Sequence, residues 1–516
     1  MKKTQSLIRY KNIPEMIINI KNKYYNEIAI RWLVSHDKIQ TLSFNELADS
    51  MTAVFYALTQ MGFTRGDHIG ICSKANPEWI IADLAIQALG GITIPIDPDL
   101  KRKNLNSILE DSECKALFID NLTTLKKLSS IINDTSLLKL IIIFYPKKQS
   151  NNKTNIMTFD ELLSLGEAQY HSSIKFNISI RATEEKDLST ILYSSEMKGA
   201  PNGIMLTHKN ILSNATAFTS TLMKAQKKMK PWKQHILSLI PFSDPLGRLL
   251  MLSSLMLGSS LDIVNKLDPD LIEKSFEKFK PTIMIAYPLI YQVIHFIVFK
   301  TLEDYPKRQQ ELVKDFIQNA EIYYKNKAKT KRNKIGAILK HKILQKIIGK
   351  IIRKSFGGKL KLMISSPANI SEKYLYFFNS IGISLLTSYG LPELTAITHL
   401  LRTKYNSKKR PDFKKKIPFY HKITSRGPPL EILDNPYEKI KQKLNKKKDE
   451  LLIKGPSVMK GYWKNREATN KIIDEHGWLH TGESAEIDED GYLFIGKKTQ
   501  NLLKKPAKKK LSVDAK

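Results

Sequence analysis

The stretch with the densest chemical potential runs from Leu192 to Asn210 and reads LYSSEMKGAPNGIMLTHKN. An apolar run from Leu188 to Leu192 enters a small, polar, glycine-bearing loop. A second apolar run, Ile204-Met205-Leu206, leaves it toward Thr207-His208. This punctuation predicts strand, turn, strand. A loop built from Ser194, Ser195, Gly199 and Gly203 can turn backbone N–H groups inward, and such a concavity binds phosphate oxygens. Taken alone, the same loop is equally an ordinary tight turn.

The elements that must position this loop alternate in type. Residues 41–62 carry Ser43 with Glu46 three positions on, a capping box, ahead of apolar residues at helical spacing; Gly62 ends the run. Gly66 to Cys72 reads as turn then strand. Asn76-Pro77 opens an apolar helix through Leu89, Gly90-Gly91 breaks it, and Ile92 to Ile96 is the next strand. An amphipathic helix around Leu105, Ile108 and Leu109 precedes a strand at Ala116–Ile119. Helix alternating with strand predicts an α/β fold of layered sheets flanked by helices.

The Leu192–Asn210 string resembles the signature loop of the AMP-forming acyl-adenylating superfamily, Tyr-Thr-Ser-Gly-Thr-Thr-Gly-x-Pro-Lys-Gly-Val-x-x-(Thr/Ser)-His. Tyr193, Ser195, Gly199, Pro201, Gly203, Thr207 and His208 keep the pattern. Glu196-Met197-Lys198 replaces Gly-Thr-Thr, and Asn202 stands at the family lysine. Further segments match. Ile236 to Arg248 is similar to a Leu-Pro-Leu-x-His-x-x-Gly segment with Asp244 at the histidine, and the apolar helix expected at Leu249–Leu257 would line an acyl tunnel or simply pack the core. Pro281 to Pro288 resembles a Pro-Thr-x-x-x-x-Val-Pro strand. Leu362 to Ile370 has Ser366 and Pro367 where the family has glycines. Ser388-Tyr389-Gly390-Leu391-Pro392-Glu393 resembles the adenylate motif Tyr-Gly-x-Thr-Glu, with Pro392 at the threonine. Glu450 to Gly496 is the best-kept block, with Glu483 at the family aspartate and Lys497 at the following arginine.

The resemblance implies the large multi-subdomain N-terminal body of an acyl-CoA synthetase/luciferase-like fold over residues 1–496. Residues 497–516 would be a truncated hinge and Lys-rich tail, with the small C-terminal domain absent. It implies a catalytic set of Glu393, Thr207 and His208, with Glu393 also the Mg²⁺ ligand. It implies nucleotide contacts from Ser194, Ser195, Lys198, Gly199, Gly203, Tyr389, Gly390, Glu483 and Lys497. Tyr389 would stack on adenine and Glu483 would chelate the ribose hydroxyls. The implied activity is that of a long-chain fatty-acid–CoA ligase using ATP, Mg²⁺ and coenzyme A. Carboxylate attack on the α-phosphate would give acyl-AMP and pyrophosphate, and the thiol would then displace AMP. Because the replaced positions grip phosphate, impaired turnover is expected; a non-catalytic relative that binds fatty acid, or a membrane-surface scaffold, is the alternative.

Composition narrows the field. With 516 residues and 42% hydrophobic content, the chain can bury a large core. Cys72 and Cys114 are the only cysteines, which suggests no disulfide framework and fits a reducing, cytoplasmic setting. No secretory signal pattern is visible, and the longest uncharged apolar stretch, Leu249 to Leu261, is too short to span a bilayer. The net charge of +33 could serve nucleic acid, anionic lipid or anionic small molecules, but Lys, Asn and Ile crowd every region, so compositional bias is the favoured reading. No nucleic-acid module is apparent, so no nucleic-acid partner is expected. Lys325 to Lys354 carries isoleucines on one helical face. It reads either as a helix packed on its own domain or as a basic amphipathic helix touching the inner face of an anionic membrane.

Overall fold

The structure is a computed structural model. It describes residues 9–34, 38–134, 138–146, 155–169, 173–193, 202–225, 230, 233–329, 335–366, 369–402, 404–405, 417–418, 423–431, 439–445 and 449–496. Two eight-stranded sheets dominate these residues. One orders its strands Ile156–Thr158, Leu140–Ile143, Ala116–Ile119, His68–Cys72, Ile92–Ile96, Leu188–Leu192, Ile204–Thr207 and Gly461–Tyr462. It is parallel up to Leu188–Leu192 and antiparallel beyond. The other runs Ile39–Ser43, Ile28–Leu33, Ser260–Ile263, His235–Ser238, Ile283–Ala286, Leu362–Ser365, Ser384–Gly390 and Ile397–Leu400, parallel in the middle and antiparallel at both edges. A four-stranded antiparallel sheet collects Lys441–Asn445, Glu450–Lys454, Leu479–Ile487 and Leu493–Ile495.

Alternation along the strands explains the layering. Successive side chains leave opposite faces of a strand. Ile69, Ile71, Ala116 and Phe118 therefore join the inner core, whereas Leu117, Ile119, Ile92, Ile94 and Ile96 form a separate outer cluster. In the second sheet Ile236, Ile283, Ile285, Leu362 and Ile364 face that same inner core, and Leu237, Met284, Ala286 and Met363 face a third cluster. The inner core thus lies between the sheets and is filled by helices Pro77–Leu89 and Pro245–Leu257, buried along their whole length. A helix apolar all round can only be stable when so enclosed.

Local signals behave as the sequence predicts. Ser43 and Glu46 form the reciprocal capping box of helix Phe44–Gln60. Asn76 caps Pro77–Leu89, and Gly90 ends it in the left-handed conformation. One helix starts earlier than expected: Asp244 accepts from the Leu246 N–H at 2.7 Å, so the helix begins at Pro245 rather than Leu249. Asp followed by Pro is a strong start signal.

The Lys-rich stretch forms helices Lys307–Lys329 and Ile335–Lys354. In the described end of the second, Ile348 and Ile352 are buried, and Gln345 Nε2 donates to the Asn379 and Ser380 carbonyls at 3.2 and 2.9 Å. That end is therefore packed on its own domain. Among the described residues no helix is long and apolar enough to cross a membrane.

Candidate active site

Strand Ser384–Gly390 carries Tyr389 and Gly390 to its C-terminal end, where they pair with Ile397–Leu400, and the tight turn Pro392–Leu394 then presents Glu393. Gly390 is required by packing, since a Cβ there would sit 1.6 Å from the Ala396 carbonyl oxygen. Thr395 follows at φ +71, a conformation costly for a residue with a Cβ. Its hydroxyl donates to the Ser457 carbonyl at 2.7 Å, which fixes the turn against the C-terminal block.

Glu393 is half-buried and held twice. Its carbonyl accepts from the Met459 N–H at 2.9 Å, and its Oε1 accepts from the Tyr462 hydroxyl at 2.9 Å. Burial, and then the Glu393 charge, raise the pKa of the Tyr462 phenol. Tyr389 is only 3% exposed, and its ring meets His399 edge-on at 5.8 Å. Burial raises the Tyr389 phenol pKa most, followed by the nearby Glu483 carboxylate, with Glu393 adding a smaller push. Yet Tyr389 Oη and Glu483 Oε2 are buried without a hydrogen bond of normal geometry. The Arg426 guanidinium is also buried, which lowers its pKa, offset in part by the nearby Glu483 and Tyr389. Tyr389, Gly390, Glu393 and Glu483 therefore share one locality, assembled from two sheets.

The loop exit joins them through backbone. Gly203 accepts from the Trp463 N–H at 2.6 Å, and strand Gly461–Tyr462 pairs with Ile204 and Met205. A Cβ on Gly203 would meet Ile191 at 2.6 Å and the Tyr193 ring at 3.0 Å, so this glycine too answers to packing. Thr207 caps the helix His208–Ala225, its hydroxyl accepting from the Asn210 N–H at 3.1 Å, while its own N–H and hydroxyl donate to Asn210 Oδ1 at 2.8 and 2.9 Å. Asn210 in turn donates to the Pro456 and Val458 carbonyls. His208 points elsewhere, because its Nδ1 accepts from the Ile13 N–H at 3.4 Å. Burial pushes the His208 pKa down to about 3, so it is neutral at pH 7. No hydrogen bond among the described residues joins Thr207 or His208 to Glu393. Ser194, Ser195, Lys198, Gly199 and Lys497 lie outside the described residues.

A cavity of about 460 Å³ opens beside the residue preceding Glu393. Pro392, Tyr193, Ile204, Asp97, Asp244 and Tyr287 are among its walls. Burial raises the Asp244 carboxyl pKa, offset in part by the Tyr287 hydroxyl.

These groups fit a nucleotide with its metal in two respects. Glu393 offers a hard carboxylate with one oxygen anchored by Tyr462, as a Mg²⁺ ligand needs. Glu483, beside the Tyr389 hydroxyl, is a second carboxylate whose oxygens suit donors such as sugar hydroxyls. Pro392 fits less well, having neither hydroxyl nor N–H to offer a phosphate. Sequence reasoning missed Tyr462, Arg426 and the capping role of Asp244. Tyr462 lies inside the best-kept block, which was its only signal.

Comparison with known proteins agrees with this geometry. The AMP-binding enzyme family matches residues 20–463. The long-chain-fatty-acid–CoA ligase FadD15 of Mycobacterium bovis is 24% identical over 459 residues, covering 87% of this chain and 68% of that protein. Long-chain-fatty-acid–CoA ligase 5 of Rattus norvegicus is 26% identical over 483 residues, covering 90% of this chain and 65% of that one. The chain thus spans about two thirds of the length of these relatives. Among solved structures, the long-chain-fatty-acid-CoA ligase FadD1 of Archaeoglobus fulgidus superposes with TM-score 0.67 at 19% identity, over 95% of this chain and 85% of that one. The N-terminal domain of FACL13 from Mycobacterium tuberculosis gives 0.63 at 18%, over 94% and 100%. The layered sheets, the grouped Tyr389, Glu393 and Glu483, and a family match over most of the sequence converge: this chain belongs to the AMP-binding enzyme family.

Proposed function

We propose that this chain activates a long-chain fatty acid with Mg²⁺–ATP and passes the acyl group to coenzyme A. The supporting observation is the joint placement of Tyr389, Glu393 and Glu483 beside the exit of the Leu192–Asn210 loop. In this reading a fatty carboxylate oxygen bonds to the α-phosphorus as pyrophosphate leaves, and a thiol sulfur then bonds to the acyl carbon as AMP leaves. Mg²⁺ supplies charge neutralisation at the phosphates. Glu393 would hold the metal, Glu483 the ribose hydroxyls, and Tyr389 with Gly390 the adenine. By the family resemblance, Ser194, Ser195, Lys198, Gly199 and Gly203 would serve the phosphates and Lys497 the ribose. Thr207 and His208 contribute by fixing the loop exit. Turnover is slow, because Pro392 removes a donor that stabilises developing charge. Incubation with palmitate, ATP, Mg²⁺ and coenzyme A, read by mass spectrometry, gives palmitoyl-CoA or palmitoyl-AMP above a Glu393→Ala control. No product above that control overturns the reading.

Pro392 favours a second reading, a non-catalytic relative that binds fatty acid. It expects a thermal shift with palmitate and none with Mg²⁺–ATP. Peripheral contact with an anionic membrane has separate support. Helix Pro288–Glu303 leaves Leu289 and Phe296 more than half exposed, and Ile347 is 59% exposed on helix Ile335–Lys354. Flotation with anionic but not neutral liposomes is the expected result; no flotation with either removes the membrane role.

A further inference from the structure

Tyr462 does more than fill space beside Glu393. Its backbone is fixed from three directions. The segment pairs with strand Ile204–Thr207, with Tyr462 opposite Ile204 and Gly461 opposite Met205. The Tyr462 N–H donates to the Thr469 hydroxyl at 2.8 Å. The next residue, Trp463, donates through its backbone to Gly203 and through its indole Nε1 to the Asp111 carbonyl at 3.1 Å. The phenol therefore sits at a set position relative to the strand that leaves the glycine-bearing loop. From there it donates to Glu393 Oε1 at 2.9 Å, while Met459, three residues earlier, holds the Glu393 carbonyl. One strap, residues 459–463, grips both the carboxylate turn and the loop exit.

A carboxylate has two oxygens, and a hydroxyl donor on one fixes the direction of the other. Among the described residues Glu393 makes no other side-chain hydrogen bond. A bond between a neutral donor and a carboxylate is charge-assisted and strong enough to select one rotamer of a half-exposed side chain.

We propose that Tyr462 is a positioning residue, registering the free oxygen of Glu393 against the loop exit, where it would hold a divalent cation that accompanies a nucleotide. This rests on the nucleotide reading above. Plain structural glue would be the competing role, and it separates from positioning by what the tyrosine's loss disturbs.

Tyr462→Phe keeps the ring and deletes only the hydroxyl. Binding of Mn²⁺ in the presence of ATP, followed by electron paramagnetic resonance, reads the metal site directly. The dissociation constant is expected to rise about tenfold, the scale of one hydrogen bond to a charged group. The KM for Mg²⁺ should rise in step, with the KM for palmitate and the melting temperature unchanged. Thr469→Val, which frees the Tyr462 backbone but keeps the hydroxyl, should shift Mn²⁺ binding in the same direction by less, and it tests the idea should the phenylalanine variant misfold. Mn²⁺ binding by both variants within about twofold of the parent overturns the positioning role alone. So does a tyrosine-to-phenylalanine loss that appears as a lower melting temperature with metal affinity intact. A parent protein that binds no Mn²⁺–ATP overturns the nucleotide reading and this inference with it.

Discussion

Arg248→Met should be among the most damaging single changes outside the candidate site. Arg248, on helix Pro245–Leu257, donates from Nε and Nη2 to the two oxygens of Asp83 at 3.1 and 2.7 Å. Asp83 lies on the other central helix, and the two side chains are 4% and 0% exposed. The guanidinium also bonds the Thr190 hydroxyl, and Asp83 Oδ1 accepts from Thr93 at 2.7 Å. Methionine would leave the carboxylate buried with neutral donors only. Breaking one side of such a pair costs about 3–5 kcal/mol. Two hydrogen bonds to a charge, at about 1.5–3 kcal/mol each, give the same figure independently. Against a total stability of about 5–15 kcal/mol, this is about a fifth or more. Urea unfolding followed by tryptophan fluorescence reads the loss, because Trp79 lies on the same helix as Asp83 and is fully buried. The double variant Asp83→Leu/Arg248→Met removes both charges and should recover to within about 2 kcal/mol of the parent. Single variants that cost less than about 1 kcal/mol, or a double variant as poor as the sum of the singles, would refute the reasoning.

Other outcomes follow from single contacts. Pro392→Thr should raise kcat about tenfold by restoring a hydroxyl donor near the phosphates; steady-state kinetics with palmitate decides it. Gly166→Ala places a Cβ 1.8 Å from the Ala53 carbonyl oxygen, prising apart helices Phe159–Gln169 and Phe44–Gln60, and should cost about 1–3 kcal/mol in urea unfolding. Burial holds His208 at about 3 and His399 at about 4, below the unfolded value near 6.5. The unfolded chain therefore binds more protons between those values, and stability falls as pH drops from about 6.5 toward 4. Each histidine contributes on the order of 2 kcal/mol of loss by pH 4.5. Urea midpoints across that range should show it, with a shallower slope in His399→Gln.

The layered fold was legible because its signals are local. Ser43 with Glu46, Asn76 with Pro77, and Gly90 mark helix ends within a few residues of one another, and backbone N–H groups at a helix start must find such acceptors wherever the helix lies. The individual site residues were legible as types in a resemblance, but their pairings were not. Tyr462 meets Glu393 only because strand Gly461–Tyr462 adds to the edge beside Ile204–Thr207, and Glu483 meets Tyr389 only because the four-stranded sheet docks there. No periodicity carries that information. Asp244 shows the opposite failure. Its signal was local, an acid before a proline, but attention to a replaced histidine hid a helix cap. The Lys-rich helix was ambiguous because isoleucines on one face serve a core and a bilayer equally; Ile348 and Ile352 resolve to core, Ile347 to surface.

Pro392 and Tyr462 act on different parts of the same turn, and this separates their consequences. Pro392 opens the turn Pro392–Leu394, where its fixed φ suits the first position and its missing N–H costs the turn nothing. The turn is closed by Leu394 N–H to the Leu391 carbonyl and Thr395 N–H to the Pro392 carbonyl, both at 2.9 Å. The left-handed Thr395 conformation, at a cost of about 1–3 kcal/mol, is tied down by its hydroxyl on Ser457. The backbone of Glu393 is thus held by several hydrogen bonds, to which the proline ring adds only its fixed φ. Replacing proline with threonine should therefore alter phosphate chemistry, read in kcat, and leave metal affinity where it was. Removing the Tyr462 hydroxyl should do the reverse, since it touches the carboxylate and no phosphate. Measured together, the two variants must move different parameters. If Pro392→Thr changes the KM for Mg²⁺ as much as Tyr462→Phe does, the turn is not held by its backbone and the division of labour fails.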